Sequence, residues 1–221
     1  MIEIKNLCKK FYQKTDSFHA LKNINLTINK GELLVLKGLS GSGKSTLLSI
    51  IGGIMKPTSG SVFVDGENIV SLSDYHASHY RNTKVGFVTQ SFHLFDALSV
   101  KDNIILPLIV TDYSNDEVEK KANKVMDICK IIHKQNQKVA TLSGGEKQRT
   151  IIARALITQP QIILCDEPTA NLDYENSMKF IEIIKELQKM GKTILIATHD
   201  PVFEKIKNID RIIKIRDGSF E

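Results

Sequence analysis

The sequence predicts an α/β fold: a parallel sheet covered by helices, with an antiparallel β-subdomain at the N-terminus and an inserted α-helical subdomain. Three observations carry this prediction. Short, almost wholly apolar runs recur at residues 33–36, 162–165 and 193–197, as in strands buried on both faces. Helical patterns separate these runs, which places them in one parallel sheet. Ahead of them, two stretches alternate apolar and polar residues with period two, the pattern of a half-exposed antiparallel sheet.

Taken in order, Ile2, Ile4 and Leu7, followed by Phe11, form the first alternating strand, and Ile24, Leu26 and Ile28 form the second. Asn29-Lys30-Gly31 makes a turn into the buried strand 33–36. A glycine-rich loop follows, and a helix runs from Thr46 to Ile51. Val62-Phe63-Val64 and Val85-Gly86-Phe87-Val88 are further strands. From Ser99 to about Leu156 the pattern is mostly helical. Over 114–132, Val118, Ala122, Val125, Met126 and Cys129 recur at helical spacing. Ser114 stands three residues before Glu117, a capping box that starts this helix. Next come the strand 162–165, a helix over 178–190, the strand 193–197, the strand Ile212-Ile213-Lys214-Ile215 and the turn Asp217-Gly218. The helical subdomain, roughly 91–160, lies inside the strand–helix alternation. Residues 1–221 therefore read as one domain with an insertion.

With 221 residues, 42% hydrophobic and 25% charged, the chain is neither disordered, fibrous nor a disulfide miniprotein. The longest apolar run, 104–110, contains Pro107, whereas a membrane-spanning helix needs about 20 apolar residues. Any membrane part is expected on another chain. Cys8, Cys129 and Cys165 form no C-x-x-C pair, which argues for a reducing compartment and against zinc. Residues 1–14 carry lysines but no apolar signal core, so neither a secretory signal nor a lipoprotein cleavage site at Leu7-Cys8 is expected. The net charge of +5 comes from lysines and acids interleaved over 116–138 and 175–221, as on solvated helix faces. With no basic block and no regular aromatic interleaving, nucleic acid is not an expected partner.

Gly38-Leu39-Ser40-Gly41-Ser42-Gly43-Lys44-Ser45 matches G-x-x-x-x-G-K-[ST], after a buried strand and before a helix. The glycines let the backbone wrap a phosphate with its N–H groups, and the helix N-terminus adds positive potential. Lys44 reaches the β and γ phosphates, and Ser45 offers a hydroxyl to Mg²⁺. The strand 162–165 runs into Asp166-Glu167. Asp166 arrives at the sheet's C-terminal edge, where α/β sheets bind ligands, and can hold Mg²⁺ there. Glu167 is expected to point the other way and to orient or deprotonate a water. Leu142-Ser143-Gly144-Gly145-Glu146 reads as a second phosphate-binding helix start or as a helix N-capped by Ser143.

Together these residues resemble the nucleotide-binding subunit of ATP-binding cassette (ABC) transporters. The order is the family's: the phosphate loop, Gln90, the Leu-Ser-Gly-Gly signature at 142–145, Asp166-Glu167-Pro168-Thr169, Asn171-Leu172-Asp173 and Thr198-His199-Asp200. The resemblance implies a P-loop NTPase core that binds and hydrolyses ATP with Mg²⁺. It implies nucleotide contacts at Gly38, Leu39, Ser40, Gly41, Ser42, Gly43, Lys44, Ser45 and Thr46. Phe11 falls where the family stacks an aromatic on adenine, with Tyr12 as fallback; otherwise Phe11 is a core aromatic. Glu167 would be the general base, and His199 would contact the γ-phosphate. Lys44 and Gln90 complete the catalytic set, and Ser45, Gln90 and Asp166 the metal set. Ser143, Gly145, Glu146 and Asp173 would serve the site across an ATP-dependent homodimer. Glu146 and Leu39 depart from the family's usual glutamine and proline.

Residues 85–95 and 103–108 further resemble the lipoprotein-releasing, macrolide-exporting and cell-division ATPases. That resemblance implies a cytoplasmic subunit peripheral on the membrane, driving a separate permease in export or extrusion. The alternative is a mechanical or signalling role without transport, as in cell division. Repair and translation ATPases are not expected, because the chain has neither their long coiled coil nor two cassettes. Ser91, Phe92, His93, Leu94, Phe95 and Leu98 make an apolar stretch after Gln90. It is either a groove for a permease helix or packing for the inserted helices.

Overall fold

The computed structural model describes residues 1–13, 16–206 and 209–221. Lys14, which closes the lysine-bearing N-terminal stretch, lies outside the described residues. The strands are β1 (Ile2–Gln13), β2 (Asp16–Ile28), β3 (Leu33–Lys37), β4 (Ser59–Val64), β5 (Glu67–Asn68), β6 (Val85–Val88), β7 (Ile162–Asp166), β8 (Thr193–Thr198), β9 (Arg211–Arg216) and β10 (Ser219–Phe220). One sheet is antiparallel, in the order β2-β1-β4-β5; the other runs β10-β9-β3-β8-β7-β6, parallel except for β10. The helices are α1 (Lys44–Ile51), α2 (Asp74–Lys84), α3 (Val100–Ile105), α4 (Asn115–Ile128), α5 (Gly144–Leu156) and α6 (Tyr174–Lys189).

The period-two side-chain alternation of β3 explains the layering. Leu34 and Leu36 enter one core, shared with Ile2, Leu7 and Leu26 of the antiparallel sheet and Leu47 and Leu48 of α1. Leu33 and Val35 enter the other, with Ile163, Ile196, Phe180 and Ile184. Val100 and Ile104 of α3, Met126 of α4 and Ile152 of α5 belong to that second core too. The inserted helices thus pack on the sheet itself.

Several elements differ from the sequence reading; α1, for one, begins at Lys44 rather than Thr46. Helix α2 was not anticipated: it buries only Ala77 and Tyr80, so its apolar periodicity is too sparse to register. Ser73 caps it by accepting from the His76 N–H. Helix α6 begins at Tyr174 rather than 178, because Asp173 accepts from the Asn176 N–H and caps a polar first turn. The Ser114 capping box is present, but α4 ends by Cys129, and Lys130 takes a left-handed φ of 52°. Pro107 lies in a 3-10 turn over Leu106–Leu108, so the apolar run 104–110 does not continue as an α-helix. No helix among the described residues is long and apolar enough to cross a membrane.

Candidate nucleotide site

Strand β3 delivers its loop to the C-terminal edge of the sheet. Gly41 (φ 80°) and Gly43 (φ 104°) take left-handed conformations that side chains disfavour. A Cβ on Gly43 would lie 2.3 Å from the Ala20 carbonyl oxygen, so the loop presses on β2. Helix α1 then begins with no acidic residue in its first turn and no side-chain cap. Its first amides are left for an anion, which the helix dipole favours. Lys44, only 4% exposed, curls back and donates to the carbonyls of Gly38 (2.8 Å) and Leu39 (3.0 Å). A phosphate would replace these neutral acceptors with charged ones.

The strands β7 and β8 bring the acids and the histidine to the same edge. The Ser45 hydroxyl donates to Asp166 Oδ1 at 2.8 Å. Burial holds the Asp166 carboxyl above the ordinary aspartate range, against the lowering effect of that bond. Glu167 does not point away from Asp166, as strand alternation implied. Its φ of 46° ends the alternation, and its N–H donates to the Ala197 carbonyl. The carboxylate turns into the site, with Oε1 3.3 Å from Lys44 Nζ and Oε2 3.0 Å from His199 Nδ1. The His199 N–H also donates to Oε2 at 3.3 Å. Burial raises the Glu167 carboxyl, but the His199 hydrogen bond and the Lys44 ammonium outweigh it and hold the group below the ordinary glutamate range. His199 itself is 60% exposed.

A cavity of about 330 Å³ joins these groups. It is lined by Ser40, Gly41, Gly43, Lys44, Ser45 and Thr46 of the loop and helix start, by Gln90, Glu167 and His199, and by Phe11, Phe18 and Ala20 of the β1–β2 hairpin. Gly38, Leu39 and Ser42 line the neighbouring cleft on the other side of the loop. Phe11 is half-buried and belongs to neither core; Tyr12 is 74% exposed and does not line the cavity. Phe18 and Ala20 were missed. No sequence pattern marked Phe18, which reaches the cavity because the β1–β2 register sets it directly across from Phe11.

Asp166 meets this cavity only through Ser45, and four further expected residues line neither it nor the neighbouring cleft. Ser143 caps α5, accepting from the Glu146 N–H while Glu146 Oε2 accepts from the Ser143 N–H at 2.8 Å. Asp173 is held by the cap of α6. Gly145 is needed for packing as well: a Cβ there would lie 2.2 Å from Asn176 Oδ1. One copy of the chain does not bring these residues to its own phosphate loop. The apolar stretch after Gln90 divides. Phe92 and Leu94 pack on the helical core, whereas Phe95 is 58% exposed.

Among the described residues no group of three His, Cys, Asp or Glu could hold a metal. The donor set at this edge suits Mg²⁺ nonetheless. Ser45, Asp166 and Gln90 offer hard oxygens, and Mg²⁺ is usually held by one or two protein groups plus phosphates and water.

Residues 21–170 match the family described as ABC transporter. The chain belongs to the ABC transporter family. It is 40% identical over 218 residues to the uncharacterized ABC transporter ATP-binding protein YvrO of Bacillus subtilis (strain 168), covering 99% of this chain and 94% of that protein. Structures of MJ0796, a bacterial ABC transporter cassette, superpose with a TM-score of 0.92 at 39% identity, over 100% of this chain and 97% of theirs. Both are dimeric, and one is a post-hydrolysis state bound to ADP and Pi. The cassette cbiO1 of Clostridium perfringens matches with a TM-score of 0.87 at 31% identity, over 100% of this chain and 86% of its own. This ABC cassette is therefore an ATP-binding transporter subunit and an ATPase, and it shares the antiparallel β-subdomain and mixed α/β sheet of these structures.

Proposed function

We propose that two copies of this ABC ATPase close on two ATP molecules and that hydrolysis drives a permease on a separate chain. The observation that carries the reading is the Glu167 carboxylate, held between Lys44 and His199 above the Ser45–Asp166 pair. In this reading Lys44 leaves the Gly38 and Leu39 carbonyls for the β and γ phosphates, and the loop amides bind the remaining oxygens. Ser45, Asp166 and Gln90 would hold Mg²⁺, which would neutralise phosphate charge there. Glu167, kept ionised by its neighbours, accepts the proton of the attacking water. His199 fixes the Glu167 carboxylate through Nδ1 and faces the γ-phosphate. Ser143 and Gly145 of the second copy complete the site, in keeping with their lining no part of the cavity in their own chain.

The stretches 85–95 and 103–108 support an exporting or extruding complex, with the subunit peripheral on the cytoplasmic face of the membrane. Phe95 is the apolar contact offered to the permease. The test is ATP turnover of the purified chain. Glu167→Gln should keep ATP binding, lower turnover by two orders of magnitude or more, and accumulate a dimer in gel filtration with ATP and Mg²⁺. Wild-type turnover in that variant would remove Glu167 as the base.

A further inference from the structure

We propose that Phe18 is a positioning residue of the nucleotide site: it holds the Phe11 ring in the orientation that a base meets. The inference rests on the reading of this cavity as the ATP site. The β1–β2 register places Phe11 directly opposite Phe18, the separation at which cross-strand side chains touch. Their centroids are 5.4 Å apart with planes inclined by 24°, a stacked pair. Both rings line the cavity that the phosphate loop also lines.

Neither ring has a place in either core. Phe18 is 50% exposed on a strand whose inward residues, Leu21, Ile24 and Leu26, already fill the core. An aromatic left half in water gains little for folding. The pair is explained better by what it does at the cavity mouth. The Lys9 ammonium stands 5.1 Å from the Phe11 centroid and is itself fixed by the Lys56 carbonyl at 2.8 Å. Phe11 is thus engaged along its own strand by Lys9 and across the hairpin by Phe18. A lone phenylalanine on a two-stranded arm would sample several rotamers and lose that freedom on binding, at a cost in affinity. The stack removes the freedom before the nucleotide arrives. Phe18 therefore acts through Phe11 and on the base alone, and it leaves the phosphate end untouched.

The experiment compares Phe18→Ala, Phe18→Leu, Phe18→Tyr, Phe11→Ala and the Phe11→Ala/Phe18→Ala double variant in the full chain. It measures kcat and KM for ATP, inhibition by inorganic tripolyphosphate, and melting temperature. Phe18→Ala and Phe18→Leu should raise KM roughly two- to tenfold, the span to which an aromatic pair energy converts. Their kcat and tripolyphosphate inhibition should match wild type. Phe18→Tyr should keep the wild-type KM, and the double variant should be no worse than Phe11→Ala. An unchanged KM in both Phe18→Ala and Phe18→Leu overturns the proposal. So does an equal weakening of tripolyphosphate, which would place Phe18 in support of the phosphate loop. Additive losses in the double variant would make Phe18 an independent contact and also overturn it. Lys44→Ala separates the underlying reading: unchanged ATP and tripolyphosphate binding in that variant would sink the site itself, whatever Phe18 does.

Discussion

Glu167 carries opposing environmental effects, and their sum has a measurable consequence. Its carboxyl is held below the ordinary value because its hydrogen bond from His199 and the Lys44 ammonium overcome the burial that raises it. A carboxyl depressed in the folded state contributes stability above its unfolded value of about 4.3, and that contribution is lost as pH falls through the folded value. Glu167→Gln removes this dependence. The wild-type melting temperature should therefore fall more than that of the variant between about pH 5 and about pH 3. Asp166 works in the opposite sense, since burial raises it and its protonation relieves a buried charge. The Glu167 charge also helps to raise Asp166, so the difference between the two curves reports Glu167 together with its coupling to Asp166. Parallel curves from thermal melts would remove the assigned stabilisation. Lys44 illustrates a related economy. Its buried ammonium donates to two loop carbonyls and lies 3.3 Å from the Glu167 carboxylate, so the charge is not left unpaired.

At the scale of elements, the segment after Gln90 is tied to the helices on both sides. The Arg154 guanidinium on α5 donates to the carbonyls of Phe92 (2.9 Å) and His93 (2.7 Å). Buried Asn103 on α3 donates to the Phe95 carbonyl (3.0 Å) and accepts from its N–H (2.8 Å). Asn171 donates to the Gln90 carbonyl at 3.3 Å. The segment is therefore shaped by backbone capture, and its side chains divide into anchors and contacts. Phe92 and Leu94 anchor it to the core, whereas Phe95 stays exposed and is the contact proposed for the permease. Phe95→Asp should abolish stimulation by the permease while leaving basal turnover and melting temperature near wild type. A matched fall in basal turnover and melting temperature would show that Phe95 is packing. Leu94→Asp, by contrast, should lower the melting temperature, because it places a charge against the helical core.

At the scale of the whole molecule, Ser143 does not line the cavity at the phosphate loop of its own chain, and the proposed function assigns it to the site of a second copy. Mixing two disabled chains tests this. Lys44→Ala spoils the phosphate loop, and Ser143→Arg spoils the turn presented to a partner. Each variant alone should be inactive. A mixed dimer regains one intact site, built from the loop of the Ser143→Arg chain and the turn of the Lys44→Ala chain. Random pairing should restore up to about a quarter of wild-type turnover. No recovery on mixing, with dimers present by light scattering, would exclude a shared site.

Motifs whose chemistry depends on local spacing are legible in the amino-acid order. Gly41, Gly43, Lys44 and Ser45 act through a loop and one helix turn, so eight consecutive residues specify them. The apolar runs 33–36, 162–165 and 193–197 specified a buried parallel sheet, because burial on both faces leaves no polar alternation. Tertiary structure decided what depends on backbone geometry and on distant partners. Glu167 faces the same site as Asp166 only because its φ turns positive at the strand end. Phe18 joins Phe11 only through the register of β1 on β2. Helix α2 buries too few apolar residues for its periodicity to register, and Ser73 caps its first turn. The fate of Phe92, Leu94 and Phe95 was set by which of them the helical core could reach. A one-dimensional pattern records how apolar a residue is; the packing of the other elements around it decides which surface it meets.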